Sequence, residues 1–234
     1  MSLGLGWAGV SVEVAVDNAK HAMATFARNH QSSEIILGNL KSTEIMEQVL
    51  SESRGRGVDL VVGGPPCQGF SMAGWRNPED KRNLLFRRFH HAVEDLSPAQ
   101  FIMENVPGIL SANQGKTFKT IRKSFESLGY TLSVFKLKSE LYGIPQRRTR
   151  IFIIGDKHGK EFAEPLKLTN SDNTRTWVGA YEALGDLPKI RRDVDTGEYI
   201  LDDQYIGSAM TGYQKFMRDE IDHEEYLDSL SYEE

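Results

Sequence analysis

Short apolar runs alternate with amphipathic helical patterns over the first 160 residues, and this alternation constrains the fold more than any other feature of the sequence. The apolar runs are rich in β-branched residues, as in Val58–Gly63, and helical periodicity separates them, as in Thr43–Ser53. Strands that alternate with helices are joined by right-handed crossovers into a mostly parallel sheet. The sequence therefore predicts an α/β fold with a doubly wound, mostly parallel sheet.

The predicted elements divide the chain into two parts. Strands are predicted at 10–17, 34–38, 58–63, 100–103, 131–137 and 150–154, and helices at 19–29, 43–53, 83–96 and 118–128. Beyond residue 160 the pattern becomes polar, with helical stretches near 177–187 and 213–226. We therefore expect one domain over residues 1–160 and a peripheral segment over residues 161–234.

Composition narrows the class of protein. The chain has 234 residues, of which 39% are hydrophobic and 26% charged, as in ordinary soluble domains. No apolar run is long enough to span a membrane, and the first residues lack a positively charged signal region. One cysteine excludes internal disulfides and favours a reducing, cytoplasmic compartment. The net charge of −5 argues against nucleic-acid binding by the whole surface, but basic residues are dense between Arg76 and Lys160.

Polar residues follow the predicted strands at the edge where open α/β sheets bind their ligands. They are, in chain order, Asp17, Asn39, Cys67, Glu104 with Asn105, and the loop 139–150. Because the carboxyl ends of parallel strands lie at one edge of a sheet, we expect these residues to converge on a single site.

Cys67 stands in the run Gly64–Ser71 (GPPCQGFS). A lone cysteine is most often a small buried apolar residue. Here two prolines stiffen the approach, glycines on both sides allow close contact between backbone and ligand, and no apolar periodicity surrounds the thiol. A thiolate is a strong carbon nucleophile where nearby positive charge lowers its pKa. We therefore predict that Cys67 is a nucleophile.

Two further runs carry candidate site residues. Glu104 ends an apolar strand, and a carboxyl in an apolar crevice can act as a proton donor and hydrogen-bond partner to a ring nitrogen; the alternative is a solvated or capping carboxylate. The run Gln146–Arg150 ordinarily indicates a solvated basic loop. At a ligand-binding edge its arginines could instead hold phosphates or a base carbonyl, with Arg148 and Arg150 on one face of the strand.

Two other patterns are interpreted as structural. Gly4–Gly9 has the spacing of a dinucleotide-binding fingerprint, which requires a strand before it and a helix after it. Since a strand is predicted after it, we interpret it as a helix running into its terminal glycine. His90 and His91 lie on a predicted helix without a second cluster of ligands, so we expect no metal site.

Taken together, these runs resemble the C5-cytosine DNA methyltransferase family of bacterial restriction-modification systems. Pro65–Gln68 resembles the family's nucleophile motif, and Glu104–Val106 its acid motif. Gln146, Arg148 and Arg150 fit its glutamine-arginine-arginine motif. The resemblance implies a Rossmann-like fold that uses S-adenosylmethionine.

The resemblance also implies a reaction and a set of site residues. Double-stranded DNA binds, the target cytosine is rotated out of the duplex, Cys67 attacks C6, and C5 takes a methyl group from S-adenosylmethionine. Glu104 would pair with N3 and the exocyclic amine, Arg150 would contact the base carbonyl, and Arg148 would support Cys67. The implied cofactor contacts are Asp17, Asn39, Pro65 and Leu85, and the implied substrate contacts are Pro66, Gln68, Ser71, Asn105 and Gln146.

The sequence departs from the family pattern in three places. Asn39 stands where the family usually has an aspartate. The glycine-rich opening motif would precede Met1, and the target-recognition region would follow Glu234, so we expect a chain truncated at both ends. We also expect a monomer that associates with the bacterial nucleoid when it is bound to DNA.

The sequence suggests three alternative functions. The same pocket could serve an RNA cytosine-5 methyltransferase, because substrate choice depends mainly on the recognition region. A catalytically incompetent remnant is favoured by the absence of the cofactor loop. A nicotinamide oxidoreductase, suggested by the early glycines, is inconsistent with the predicted strand order.

Overall fold

The computed structural model describes residues 1–66, 84–165, 177–187, 190–192, 194, 196, 199–201, 211–222 and 224–226. The chain forms two compact units. The first contains Met1–Lys136 and Arg150–Glu164, and the second contains Leu137–Thr149 and Pro165–Glu234.

Strands and helices alternate through most of the chain. The strands are β1 (Val14–Asp17), β2 (Glu34–Leu37), β3 (Leu60–Gly63), β4 (Gln100–Asn105), β5 (Thr131–Lys138), β6 (Thr149–Asp156), β7 (Ile190–Arg192) and β8 (Tyr199–Leu201). The helices are α1 (Ser2–Trp7), α2 (Lys20–Asn29), α3 (Thr43–Arg56), α4 (Leu84–Leu96), α5 (Gly108–Ser111), α6 (Lys116–Glu126), α7 (Ala180–Leu184) and α8 (Gly212–Met217).

The strand pairing confirms the predicted α/β class. β1 and β2 form a parallel pair, and β3 and β4 form a second parallel pair within a four-stranded sheet of order β3-β4-β6-β5. β6 runs antiparallel to β4, with Glu104 opposite Phe152 and Asn105 opposite Ile151. The parallel pairs place the ends of β1 and β2 together, and the ends of β3 and β4 together.

The observed bounds differ from the predicted ones where local contacts compete with strand pairing. β1 begins at Val14 rather than Val10, because the backbone N–H of Val10 donates to the carbonyl of Leu5 and closes the end of α1. β4 extends two residues beyond the prediction and includes Glu104 and Asn105. Neither β7 nor β8 was predicted.

The ends of α1 and α3 show why these segments become helices. α3 begins after Ser42, whose hydroxyl accepts a hydrogen bond from the Ile45 N–H, and ends at Gly57 with φ of +63°. α1 is followed by Gly9 with φ of +78°, a conformation that suits glycine. The early glycines therefore belong to a helix and its terminal turn, as predicted.

The core of the first unit lies between the four-stranded sheet and the apolar stripes of α4 and α6. Alternate residues of β4 are buried, and α4 and α6 each bury residues three or four positions apart. The buried cluster comprises Phe86, Phe89, Val93, Phe101, Met103, Ile109, Ile121, Phe125, Tyr130, Leu132, Ile151 and Ile153. Because Phe101 and Met103 of β4 are buried in this cluster, the position of the end of β4 is fixed by packing.

α3 is joined to α4 by an ion pair with two hydrogen bonds. The Arg54 guanidinium donates to both carboxylate oxygens of Asp95, from Nε at 2.8 Å and from Nη2 at 2.5 Å. The hydrogen bond from Arg54 lowers the pKa of Asp95. The pair is partly exposed and contributes little free energy, but it fixes the relative position of the two helices.

The second unit contains β7 and β8, which form an antiparallel hairpin, and the short helices α7 and α8. Tyr226 is buried against Phe216, with ring centroids 4.9 Å apart, and its hydroxyl donates to the Gly143 carbonyl at 2.8 Å. Burial raises the pKa of Tyr226 to about 12. None of the helices in the described ranges combines the length and the apolar character needed to cross a membrane.

Candidate active site

Glu104 and Arg150 form an ion pair between two neighbouring strands. The Glu104 side chain leaves β4 one residue before its end, and the Arg150 side chain leaves the second residue of β6. Arg150 Nε lies 2.6 Å from Glu104 Oε1, and each side chain is about a quarter exposed. Two predicted catalytic residues are therefore brought together, with their charged groups open to solvent on one side.

Gly64 lies directly beside the Glu104 carboxylate. β3 ends at Gly63, which pairs with Met103 of β4, so the next residue of each strand is adjacent to the other. A Cβ atom at position 64 would lie 3.1 Å from Glu104 Oε2. The sequence suggested that Gly64 allows close approach to a ligand; the structure shows that it makes room for the acid.

Asn105 connects the end of β4 to the segment that leads to Cys67. Its side chain is 6% exposed, and its Nδ2 donates to the Pro65 carbonyl at 2.9 Å. Pro65 is buried and Pro66 is exposed. The predicted nucleophile and its two predicted neighbours lie outside the described residues: Cys67, Gln68 and Ser71.

The predicted cofactor residues of the first parallel pair lie at its carboxyl end. Asp17 is exposed, and its Oδ1 accepts the Ala19 N–H at 2.7 Å at the start of α2. Asn39 is exposed, and its Oδ1 accepts the Lys41 N–H at 3.0 Å. Within the described part of the chain, neither Asp17 Oδ2 nor Asn39 Nδ2 has a hydrogen-bond partner. Each residue thus offers one polar group to a ligand.

Leu85 lies in the first turn of α4 and is half-buried. One turn further along, Arg88 Nη2 is 3.2 Å from the Lys41 carbonyl and 3.2 Å from Thr43 Oγ1. Arg88 therefore holds the start of α4 against the turn that carries Asn39. This contact relates Leu85 to the end of β2 within the first unit.

The predicted arginine loop belongs mainly to the second unit. The backbone carbonyl of Arg148 accepts hydrogen bonds from Ser139 N and Oγ at 2.8 and 3.0 Å, so the two ends of the loop are closed against each other. The Arg147 guanidinium stacks on the Trp177 ring, 5.2 Å from its centroid. Gln146 and Arg148 are exposed. The loop presents polar side chains to solvent.

Two exposed apolar residues at the strand ends were not among the predicted site residues. Leu37 is 52% exposed at the end of β2, and Val106 is 50% exposed directly after Asn105. A large apolar residue next to a polar strand end is the sequence signal that could have indicated both. Within the described ranges, no group of three His, Cys, Asp or Glu side chains is placed to hold a metal ion.

The parallel strand pairs, the helices between them and the polar residues at the strand ends define the fold class as that of the Rossmann-like methyltransferases. The fold is similar to the crystal structure of a prophage-encoded protein of E. coli assigned as a DNA modification methyltransferase. The two share 35% identity with a TM-score of 0.58, over 81% of this chain and 52% of that one.

The chain belongs to the C-5 cytosine-specific DNA methylase family, which it matches over residues 1–231. It is 38% identical to the Type II methyltransferase M1.HphI of Haemophilus parahaemolyticus, over 81% of this chain and 50% of the relative. It is 33% identical to the Type II methyltransferase M.DdeI of Desulfomicrobium norvegicum, over 93% of this chain and 52% of the relative. The chain spans about half the length of these relatives.

Proposed function

We propose that this chain carries the catalytic residues of a DNA cytosine-5 methyltransferase. The observation that supports this most directly is the Glu104–Arg150 ion pair next to Gly64, at the start of the segment that contains Cys67. A carboxylate held by an arginine and a thiolate nucleophile on the same chain are the groups needed to attack a pyrimidine ring. Membership of the C-5 cytosine-specific DNA methylase family supports cytosine as the ring, and the proposed substrate is double-stranded DNA.

The residues divide the work as follows. The Cys67 thiolate forms a bond to C6 of a cytosine that has left the duplex, and the electron pair of the C5–C6 double bond becomes available at C5. Glu104 hydrogen-bonds N3 and the exocyclic amine, and Arg150 holds Glu104 and contacts the base carbonyl. After C5 has gained the methyl group, a water molecule would take the C5 proton, the electron pair of that C–H bond would re-form the C5–C6 double bond, and the sulfur would leave C6 as the restored thiolate. Arg148 supports the pocket, with Pro66, Gln68, Ser71, Asn105 and Gln146 as further substrate contacts.

The exposed groups at the ends of β1 and β2 fit a nucleoside-containing cofactor. Asp17 has one carboxylate oxygen available to accept hydrogen bonds from ribose hydroxyls, and Asn39 has its amide nitrogen available for an adenine. Leu85 lies on the helix next to this edge, and Leu37 offers an exposed apolar surface there. Bound S-adenosylmethionine would supply the electrophilic methyl group, with Pro65 between it and the base.

The proposal extends to organisation and location. Residues 1–160 would form the catalytic domain and residues 161–234 a peripheral segment. The protein would act as a monomer in the bacterial cytoplasm and associate with the nucleoid when it binds DNA.

Covalent trapping tests this function. The chain is incubated with S-adenosylmethionine and a pool of random-sequence DNA duplexes in which 5-fluorocytosine replaces cytosine, because fluorine at C5 blocks release of the thiol. We expect an adduct that survives denaturation and that mass spectrometry locates on the peptide containing Cys67. Cys67→Ala should abolish it.

Two other outcomes would overturn the proposal. An adduct with fluorinated RNA alone would assign the chain to an RNA cytosine-5 methyltransferase. Absence of any adduct, together with no heat of S-adenosylmethionine binding by calorimetry, would identify a catalytically incompetent remnant.

A further inference from the structure

Arg88 contacts the segment between β2 and α3 through one nitrogen of its side chain. Nη2 carries two hydrogens, and it donates to the Lys41 carbonyl and to Thr43 Oγ1, each at 3.2 Å. Lys41 lies in the turn after β2, and Thr43 is the first residue of α3. One guanidinium therefore connects the start of α4 both to this turn and to the helix that follows it.

The turn that Arg88 holds is the turn that presents Asn39. Asn39 Oδ1 accepts the Lys41 N–H at 3.0 Å, and the Asn39 backbone carbonyl accepts the Ser42 N–H at 2.8 Å. Lys41 is thus bonded to Asn39 through its N–H group and to Arg88 through its carbonyl. A shift of the Lys41 carbonyl would therefore move the side chain that we propose as an adenine contact.

The helix that carries Arg88 also carries a second proposed cofactor contact. Leu85 and Arg88 are three residues apart in α4, so they lie on the same side of the helix. Asn39 and Leu85 belong to different segments of the chain, and their separation depends on how the start of α4 packs against the turn after β2. The two hydrogen bonds of Arg88 lie at this junction.

We propose that Arg88 is a positioning residue for the cofactor, which fixes Asn39 and Leu85 relative to each other. Both of these hydrogen bonds go to the chain itself, so Arg88 acts through the turn and not by contact with the ligand. This inference rests on the proposed function and deepens it, because it concerns how the site for the nucleoside of S-adenosylmethionine is held.

Arg54 provides a matched control because it joins the same two helices at their other ends. It lies in the last turn of α3, and its guanidinium donates to both carboxylate oxygens of Asp95 near the end of α4. Removal of either arginine loosens the packing of α3 against α4. Arg54, however, lies at the end of α3 that is away from the turn of Asn39.

Hydrogen exchange of single backbone amides, followed by NMR without ligand, measures the turn directly. Arg88→Met keeps an apolar stem but has no donor, whereas Arg88→Lys keeps the charge and a donor. We expect exchange of the Lys41 and Ser42 N–H groups to become at least about tenfold faster in Arg88→Met and to be partly restored in Arg88→Lys. Arg54→Met should leave both rates unchanged. The Gly38 N–H, which donates to the last residue of β1, serves as the internal reference and should not change.

Calorimetric titration with S-adenosylmethionine provides the second measurement. Its Kd should rise about tenfold or more in Arg88→Met, because the binding-competent arrangement is then populated less often in the free protein. Thr43→Val removes one of the two acceptors, so it should have a smaller effect in the parent and none in the Arg88→Met background. Arg54→Met should bind S-adenosylmethionine as the parent does.

Three results would overturn the role of Arg88. The first is exchange of the Lys41 and Ser42 amides at the parent rate in a folded Arg88→Met chain. The second is faster exchange without any loss of S-adenosylmethionine affinity. The third is an equal loss of affinity in Arg54→Met, which would make both arginines residues of general helix packing. If the parent itself binds no S-adenosylmethionine, the proposed cofactor site fails, and the exchange rates still decide whether Arg88 holds the turn.

Discussion

Arg150 Nε lies 2.6 Å from Glu104 Oε1, and this ion pair joins the start of β6 to the end of β4. β4 and β6 are antiparallel neighbours, so the two side chains approach from opposite chain directions. The pair keeps the carboxylate beside Gly64 rather than letting it turn into solvent. Among the described residues of the candidate site, Glu104 and Arg150 are the two predicted catalytic residues that contact each other.

Replacing Arg150 should impair the chemistry more than the fold. We expect Arg150→Ala to slow 5-fluorocytosine adduct formation on the order of a hundredfold, because it removes a fixed positive group next to the acid. Arg150→Lys should recover part of the rate, since lysine keeps the charge but not the planar fork. Arg122→Ala breaks an exposed ion pair to Glu126 and serves as the control, with an expected stability change below about 0.5 kcal/mol. Equal rates in Arg150→Ala and the parent would contradict a role for the pair.

Adding a methyl group at Gly64 should displace the acid. The Cβ of Gly64→Ala would lie 3.1 Å from Glu104 Oε2, which Arg150 prevents from yielding freely. We expect a roughly tenfold or greater loss of adduct formation with little change in the urea midpoint.

Two other glycines serve as controls for that substitution. Gly63→Ala would place its Cβ 2.8 Å from the buried ring of Phe89, so it should lower the free energy of unfolding by about 1–3 kcal/mol. Gly55 lies in α3 with open space where a Cβ would lie, and Gly55→Ala should stabilise the helix by about 0.5–1 kcal/mol. A loss of stability in Gly64→Ala as large as in Gly63→Ala would contradict the expectation that the added methyl group at position 64 affects Glu104 rather than the fold.

Truncating Phe125 should be among the most damaging core changes. Phe125 has no exposed surface, and its ring centroid lies 4.3 Å from that of Phe101 and 6.1 Å from that of Phe86. We expect Phe125→Ala to lower the free energy of unfolding by about 3–5 kcal/mol, measured by urea titration. Phe118→Ala, on the partly buried edge of the same helix, should cost clearly less, and equal costs would place the core elsewhere.

Asp156 should make stability depend on acid pH. The backbone N–H of Lys160, the Gln100 amide and the backbone N–H of His158 all donate to its buried carboxylate and lower the pKa of Asp156. Because the folded pKa lies below the unfolded value of about 3.9, the stabilisation is present above that value and is lost as pH falls through the folded pKa.

Urea unfolding of Asp156→Asn from pH 7 to pH 3 checks this expectation. The variant should be less stable than the parent at pH 7, and the difference should shrink below about pH 4. Asp59→Asn, which changes an exposed aspartate, corrects for the loss of one negative charge. If the difference in stability between Asp156→Asn and the parent stayed constant down to pH 3, Asp156 would not be the source of the pH dependence.

Much of the fold was predictable because its signals are local. Helical spacing of apolar residues predicted a helix over Thr43–Ser53, within the observed α3, and alternation of β-branched runs with helices predicted the α/β class. The family was equally accessible, since its motifs are short contiguous runs such as Pro65–Gln68 and Glu104–Val106. Because strands were predicted at 58–63 and 100–103, these motifs could also be placed directly after strands from the sequence.

The relations within the site come from contacts between residues far apart in the chain. Glu104 meets Arg150, and Asn105 meets Pro65, because of the register between β3, β4 and β6. Register depends on which apolar faces pack into the shared core, and a local sequence window does not contain that information. The sequence thus specified which groups are present and on which element each lies, and packing of the sheet against α4 and α6 set which of them touch.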